Sequence, residues 1–312
     1  MHARQTFPVK VLLGRLEQGG AAPWSSFLPD HLRPKEVSAK VFHESASSVK
    51  AKAEPKPRRG DYTPVGISVF GRVWEYSQDA AGCREVQLAI EMADEENRLR
   101  IVAELHDHVW DAACCPHANH VLQKCILVMH HSNVQFIVDV LVRQQLVSQA
   151  ARHKYACRIV QRLIERCPAE QTTHVLQALI RDAQLISCHA YGNYVMQHVL
   201  QHSSDSVQEE LCGVLEETRG EASSDVYGAA VVSCAMSTAR HPCRVALARA
   251  ILKEPSVLVR LACSRHGHGA ARDVLQVLEG TDRTQALRIL HQHQNRLQRC
   301  SSLPLTDLQD KT

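Results

Sequence analysis

Four short patterns of polar residues recur in phase along this chain. They are Cys83-Arg84-x-x-Gln87, Asn119-His120-x-x-Gln123, Cys157-Arg158-x-x-Gln161 and Asn193-Tyr194-x-x-Gln197. Their first residues lie 36, 38 and 36 positions apart, and a fixed period in this range is typical of stacked helical repeats. The residues that recur are hydrogen-bonding and flat side chains as well as core residues. A repeated polar pattern of this kind predicts a ligand that repeats with the same phase.

The third pattern shows how one helix can serve both a core and a ligand. An α-helix advances about 100° per residue, which places Cys157, Arg158 and Gln161 on one narrow arc. Apolar residues such as Ile159 and Leu163 fall on the other side of the helix. We therefore expect the three polar side chains to lie together, opposite the core.

The helical scaffold continues after the fourth pattern, but the residues at its polar positions change. One period after Asn193 these positions hold Ala229, Ala230 and Ser233, and a sixth unit holds His268, Gly269 and Arg272. Residues from Thr281 to about Cys300 are predicted to form one more amphipathic helix, as expected of a polar cap. The sequence thus predicts an all-α solenoid of about six units, each a short helix, the patterned helix and a third helix.

Composition divides the chain into three parts. Residues 1–63 are rich in Pro, Ser and Lys, and we expect them to form a disordered basic arm. The repeat domain follows at residues 64–300, including the capping helix, and residues 301–312 form a tail. The net charge is +3, with its surplus of Lys and Arg in the arm. Any attraction of phosphate by the repeats must therefore come from locally placed cations.

The twelve cysteines are spread without a C-x-x-C pair, and no secretory leader or membrane-length apolar run is present. We interpret them as reduced thiols of a cytosolic or nuclear protein. The run Cys114-Cys115-Pro116-His117 lacks a second Cys/His pair at zinc-site spacing, so we expect no metal and no cofactor. Cys263 with His266 is the nearest approach to a catalytic pair, but nothing places an acid or an oxyanion donor beside it. We expect no enzyme.

Three segments that carry the second, third and fourth patterns resemble the recognition helices of the Pumilio/PUF family. They are Ala118–Ile126, Ala156–Ile164 and Gly192–Leu200. The segment from Trp74 to Asp79 is also similar to the lead-in of the family's first repeat. The resemblance covers roughly residues 68–280. It implies a curved right-handed α-α superhelix of about six Pumilio-type three-helix repeats that binds single-stranded RNA, one base per repeat.

The resemblance also implies a role for each residue of the four patterns. Arg84, His120, Arg158 and Tyr194 would stack on bases. The base-edge contacts would be Cys83 and Gln87 to adenine, Asn119 and Gln123 to uracil, Cys157 and Gln161 to adenine, and Asn193 and Gln197 to uracil. Since RNA runs antiparallel to the protein in this family, the implied core is 5′-UAUA-3′. The family usually has eight repeats, and Ala229 and Ser233 stand where its guanine-reading repeat would place Ser and Glu.

By the same resemblance we expect a monomer that regulates translation or stability of U/A-rich mRNA in the cytoplasm, with regulatory proteins on its convex face and no membrane partner. Two alternatives remain open. One is a relaxed-specificity Pumilio-like protein of nucleolar rRNA processing and ribosome assembly. The other is a protein-scaffolding solenoid, which the altered fifth and sixth units would suit.

Overall fold

The computed structural model describes residues 69–300, which lie within one compact unit, Pro57–Thr312. The predicted arm at residues 1–63 and the predicted tail at 301–312 lie outside the described residues. Between residues 69 and 300 the regular structure is helical, without strands. No helix in this range is long and apolar enough to cross a bilayer. The predicted all-α class is confirmed.

Six three-helix units follow one another along the described chain. The first helices are α1 Val73–Ser77, α4 Val109–Cys114, α7 Val147–Arg152, α10 Ala183–Ser187, α13 Arg219–Ser224 and α16 Pro255–Cys263. The middle helices are α2 Gly82–Met92, α5 Ala118–Val128, α8 Ala156–Arg166, α11 Gly192–His202, α14 Val226–Thr238 and α17 His268–Val277. The third helices are α3 Glu95–Ala103, α6 Gln135–Arg143, α9 Ala169–Arg181, α12 Asp205–Glu217, α15 His241–Leu252 and α18 Gly280–Gln292. Short 3₁₀ turns at His106–His108 and His131–Val134 lead into α4 and α6.

The units stack in chain order. The middle helices contact one another in succession from α2 to α17, and the third helices do the same from α6 to α18. Each unit therefore covers the apolar faces of its neighbours, which is how a solenoid stabilises units that cannot bury a core alone. The number of units agrees with the sequence prediction, and the four patterns all fall on middle helices.

The core is aliphatic and runs along the stack. Middle helices contribute Ile90, Leu122, Ile159, Leu163 and Met196, all fully buried. Burial of one such side chain contributes about 1.5–3 kcal/mol. Because every unit contributes to this core, the rotation of each middle helix is fixed by its buried face. The polar positions are fixed with it.

A small residue begins the patterned segment of every unit, because the middle helix passes very close to the end of the first helix. A Cβ added at Gly192 would lie 2.4 Å from the carbonyl oxygen of Ile186, and one at Gly82 would lie 2.5 Å from that of Tyr76. Units 2 and 3 place alanine at the equivalent position, where it is fully buried. Larger side chains here would push the two helices apart.

The expected single capping helix is in fact two helices. The helical conformation is interrupted at His293, and a short helix, α19 Gln294–Arg299, follows α18 after that residue. The break lets α19 turn back onto α16, where it buries Leu297. Helix α18 completes the sixth unit, and α19 alone lies beyond it. The prediction of one uninterrupted helix was wrong because amphipathic periodicity does not register a one-residue break.

Candidate nucleic-acid interface

The twelve residues of the four patterns lie in the first two turns of four successive middle helices, α2, α5, α8 and α11. Since these helices pack side by side, equivalent residues of neighbouring units form rows along one surface. We call this surface the pattern surface, and we number its positions first, second and fifth after their places in each pattern. The structure thus assembles the residues that the sequence analysis selected.

The first-position side chains are buried, contrary to the expectation that all three polar residues face away from the core. Cys83 is 4% exposed, and Asn119, Cys157 and Asn193 are each 2% exposed. The reason is that they fold back onto the turn before the helix. Asn119 Nδ2 donates to the Cys115 carbonyl at 2.7 Å, and Asn193 Nδ2 donates to that of His189 at 2.9 Å. The cysteine thiols point to backbone carbonyls in the same way.

In units 2 and 4 the buried asparagine orients the glutamine at the fifth position. Gln123 Nε2 donates to Asn119 Oδ1 at 2.8 Å, and Gln197 Nε2 donates to Asn193 Oδ1 at 3.0 Å. Because the asparagine NH₂ group is held by the backbone, its oxygen must face the glutamine. The glutamine amide is therefore fixed with Nε2 inward, so that its carbonyl oxygen and second N–H remain for a ligand.

In units 1 and 3 the glutamine has different partners. Gln87 Nε2 donates to the Cys83 carbonyl at 3.0 Å. Gln161 Oε1 accepts from Arg158 Nη1 at 3.3 Å. Gln161 Nε2 is buried and has no hydrogen-bond partner among the described residues. A buried donor left unpaired costs about 1–3 kcal/mol. Because Gln161 is 7% exposed, its side chain would have to move before a ligand could supply an acceptor.

The second-position side chains are the accessible part of the pattern surface. Arg84 and His120 are exposed, and Arg158 and Tyr194 are half-buried. Desolvation by the surrounding side chains lowers the pKa of His120, with nearby His117 adding to the effect. Burial raises the pKa of the Tyr194 phenol, against the opposing effect of Arg158. All four present flat groups on which a planar ligand can stack.

The chemistry of the surface changes in the fifth unit. Ala229 is fully buried. Neither it nor Ala230 has a side chain that can stack on a planar ligand or form a hydrogen bond to its edge. A Cβ at Gly269 would lie 3.0 Å from Ser233 Oγ, so the fifth and sixth units meet closely here. Arg272 is exposed in the sixth unit. The run of amide and stacking side chains therefore ends with Gln197.

A second set of side chains recurs once per unit and caps the turn before each middle helix. This set was not predicted from the sequence. Its members are Asp79, Cys115, His153, His189, Asp225 and Ser264, and each accepts backbone N–H groups at the start of the helix. For example, His189 Nδ1 accepts from the N–H of Tyr191 at 3.2 Å. Burial lowers the pKa of His153 and His189, which favours the unprotonated nitrogen that the cap requires. Each member lies three residues before the Gly or Ala that begins the patterned segment of its unit. This constant spacing could have identified the set from the sequence.

Two features that the sequence analysis weighed have structural explanations. Cys115 uses its sulfur as the cap of α5, accepting from the N–H groups of His117 and Ala118. Cys263 is partly buried beside Cys300, and burial raises the pKa of its thiol to about 11. A nucleophilic cysteine needs a lowered pKa instead.

Fold and residue placement together define a helical-repeat protein whose middle helices align their patterned residues in one continuous row. A model of the Pumilio-family RNA binding repeat matches residues 72–106, 108–142, 147–180 and 184–215. Residues 72–215 therefore carry four repeats of the Pumilio type. The matches coincide with units 1 to 4, and the structure adds two units of the same three-helix form beyond them.

Curated proteins are similar to part of this chain. Fem-3 mRNA-binding factor 2 of Caenorhabditis elegans is 28% identical over 150 residues, which cover 42% of this chain and 24% of the relative. Suppressor protein MPT5 of Saccharomyces cerevisiae is 24% identical over 140 residues, covering 43% and 16%. The chain thus aligns with a quarter or less of the length of these relatives.

Solved structures show the same fold. PUF-8 in complex with PBE-RNA superposes with a TM-score of 0.67 at 22% identity, covering 75% of this chain and 72% of that chain. The Puf3 RNA binding domain bound to Cox17 RNA 3′ UTR recognition sequence site B gives 0.65 at 21% identity, covering 78% and 73%. These likenesses establish the Pumilio-type solenoid.

Proposed function

We propose that the chain binds single-stranded RNA along the pattern surface, one base to each of units 1 to 4, with the core 5′-UAUA-3′. The observation that carries this proposal is the phased row itself. Four adjacent helices each place a glutamine amide beside a flat second-position side chain, with Gln161 buried and the other three glutamines half-buried. Edge contact plus stacking, repeated once per unit, suits unstacked bases of a single strand. The RNA-bound state of the structural relatives supports the same ligand class.

The preference for uracil at units 2 and 4 follows from the fixed amides. With Nε2 of Gln123 and Gln197 turned towards the buried asparagine, the outward carbonyl oxygen can accept from uracil N3–H. Cytosine presents an acceptor at N3, which would face the same oxygen without a proton between them. Rotation of the glutamine amide would let it donate to cytosine N3, but it would break the hydrogen bond from the glutamine Nε2 to the asparagine Oδ1.

Adenine is the base proposed for units 1 and 3, and its Watson–Crick edge offers an acceptor beside a donor. In unit 1 the Nε2 of Gln87 is turned inward to the Cys83 carbonyl, so the amide contacts support adenine at unit 3 only. At unit 3 the unpaired Nε2 of Gln161 can donate to such an acceptor. Cys157 leaves room at the first position and makes no competing hydrogen bond to the glutamine. The buried thiol therefore serves as an apolar contact, since burial raises its pKa to about 11.

The experiment that tests RNA binding removes two stacking side chains. Tyr194→Ala together with Arg158→Ala should abolish measurable binding to an oligomer that contains UAUA, because stacking contributes about 1–3 kcal/mol per base. Thr173→Ala, exposed on the third helix α9, is the matched control and should bind as the wild type does. Unchanged binding by the double variant would contradict the proposal.

We further propose that this binding regulates translation or stability of mRNA in the cytoplasm, through regulatory proteins that contact the face away from the RNA. The scaffolding alternative is favoured by the altered fifth and sixth units, since the polar positions of the fifth hold Ala229, Ala230 and Ser233. A protein partner that remains bound to the stacking double variant, with no RNA bound by the wild type, would support that alternative. Nucleolar location with near-random RNA selection would support the ribosome-assembly alternative.

A further inference from the structure

Three potential metal ligands meet at the junction between units 3 and 4, beyond the pattern surface. Glu165 lies near the end of α8, and His198 and His202 lie one turn apart on α11. One ligand atom from each residue can be chosen so that all three lie within 4.8 Å of one another. The two histidine rings are 4.3 Å apart between centroids. Within residues 69–300 this is the single cluster of three such groups.

The central histidine of the cluster is buried and pairs with the carboxylate. His198 is 7% exposed. Its Nε2 lies 2.6 Å from Glu165 Oε1, an ion-pair distance. A divalent cation bound by both groups would replace the proton that this pair shares.

The other oxygen of the carboxylate is already held. Arg162 Nη1 lies 2.5 Å from Glu165 Oε2. The guanidinium therefore orients the carboxylate and leaves Oε1 turned towards His198. Support of a ligand group by a neighbouring hydrogen bond is usual around metal sites.

Comparison with the junction between units 1 and 2 shows what is particular to this one. There Lys124 and Glu91 occupy the places of His198 and Glu165, and they form an ion pair at 3.0 Å. Val128 stands where His202 stands in unit 4. A plain ion pair thus suffices to join two units, whereas the junction between units 3 and 4 replaces the lysine with histidine and adds a second histidine.

We propose that Glu165, His198 and His202 bind a divalent transition-metal ion of the zinc class, which links units 3 and 4. One carboxylate oxygen and two imidazole nitrogens are ligands that Zn²⁺ uses, with water in the fourth place. Zinc ligands at about 2.0–2.2 Å from the ion lie about 3.4 Å from one another in a tetrahedron. His198 Nε2 and Glu165 Oε1, now 2.6 Å apart, must therefore move apart when the ion binds. His202 is exposed and gives the ion access from solvent.

This inference does not depend on RNA binding. The site lies in the second half of α8 and α11, after Gln161 and Gln197, so its ligands are not residues of the pattern surface. A bound ion would restrain the two helices whose first halves carry Arg158 and Tyr194. The predicted effect on the protein is a stiffer junction between these two units.

The test is Zn²⁺ titration of the full chain by calorimetry, with the metal-stripped protein and no RNA. We expect one site per chain, weakened by more than about tenfold in His202→Gln and in Glu165→Gln, since even groups that only support a ligand are worth about 10–100-fold in affinity. His291→Gln, an exposed histidine on α18, is the matched control and should bind as the wild type does. Thermal melting of each apo variant checks that it is folded.

The twelve free cysteines are the competing ligands, and Co²⁺ distinguishes them. Co²⁺ bound by histidine and carboxylate lacks the thiolate charge-transfer absorption that cysteine ligation produces. A spectrum without that absorption, lost in His202→Gln, would support the site. Thiolate absorption, Zn²⁺ affinity unchanged in both His202→Gln and Glu165→Gln, or no Zn²⁺ binding by the wild type would each overturn it.

Discussion

At the scale of single residues, the asparagines at the first position act through their neighbours. Asn193 is 2% exposed, and it donates to two carbonyls, those of His189 and Ala190, while it accepts from Gln197. It therefore fixes the orientation of the glutamine amide more than it offers an edge of its own. The sequence predicted these positions to face away from the core, but a helical wheel shows angles on one helix only. The burial of Asn193 comes from the turn before the helix.

Asn193→Ala should release the Gln197 amide to rotate. We expect the preference for uracil over cytosine at the first base of 5′-UAUA-3′ to fall, because either face of the amide could then point outward. The melting temperature should fall as well, since a typical hydrogen bond contributes about 1 kcal/mol. Competition between oligomers with U or C at that base measures the effect.

Asn119→Ala serves as the internal control for that experiment. It should reduce the preference for uracil at the third base and leave the first base unaffected, since Asn119 orients Gln123 only. Loss of preference at both bases in either variant would contradict the assignment of one base to each unit.

At the scale of elements, each middle helix begins at a capped turn, and the cap is chemically different from unit to unit. Asp79 and Asp225 use a carboxylate, Cys115 a thiol, and His153 and His189 a ring nitrogen. The helices themselves could be predicted from periodicity. The caps could not, because residues this different share only the ability to accept a hydrogen bond.

A histidine cap makes its unit sensitive to acid. Burial and Arg152 lower the pKa of His189 in the folded chain, so its contribution to stability is complete above the unfolded value of about 6.5. It is lost as the pH falls through the lowered folded value, because a protonated Nδ1 cannot accept the N–H of Tyr191. His189→Asp, which copies the cap of Asp225, should therefore be less sensitive to acid than the wild type between pH 7 and pH 5.

Thermal melting at the two pH values checks this prediction. His189→Ala is the companion variant, and it should melt lower at pH 7, since loss of a cap costs about 0.5–2 kcal/mol. If the wild type and His189→Asp lost equal stability between pH 7 and pH 5, the histidine would not be the source of the acid sensitivity.

At the scale of the whole molecule, the solenoid is longer than its run of pattern residues. Six units stack with the same three helices, yet only the first four carry amides and flat groups. The number of units and their order could be predicted from the period of the chain. The close contact of Gly269 with Ser233 could not, because it depends on how two units meet.

The fifth unit should accept a restored pattern. In Ala229→Asn/Ala230→Tyr/Ser233→Gln, the new asparagine lies four residues after Asp225, as Asn193 lies after His189, and the new glutamine faces Gly269, which has no side chain. We expect tighter binding of 5′-UUAUA-3′ by about 1–3 kcal/mol and a preference for U over C at the added base. Binding assays with 5′-UUAUA-3′ and 5′-CUAUA-3′ measure this preference. Equal affinity for both pentamers would show that the restored unit does not distinguish U from C.

In vitro selection of RNA from a random pool by the full chain tests the proposed reading most directly. We expect the selected sequences to share 5′-UAUA-3′, with U fixed at the first and third bases and A at the second and fourth. In Asn193→Ser/Gln197→Glu, a pair that resembles the family's guanine-reading repeat, the first base alone should change from U to G. Selection of unrelated sequences by the wild type, or a change at any other base in the variant, would contradict it.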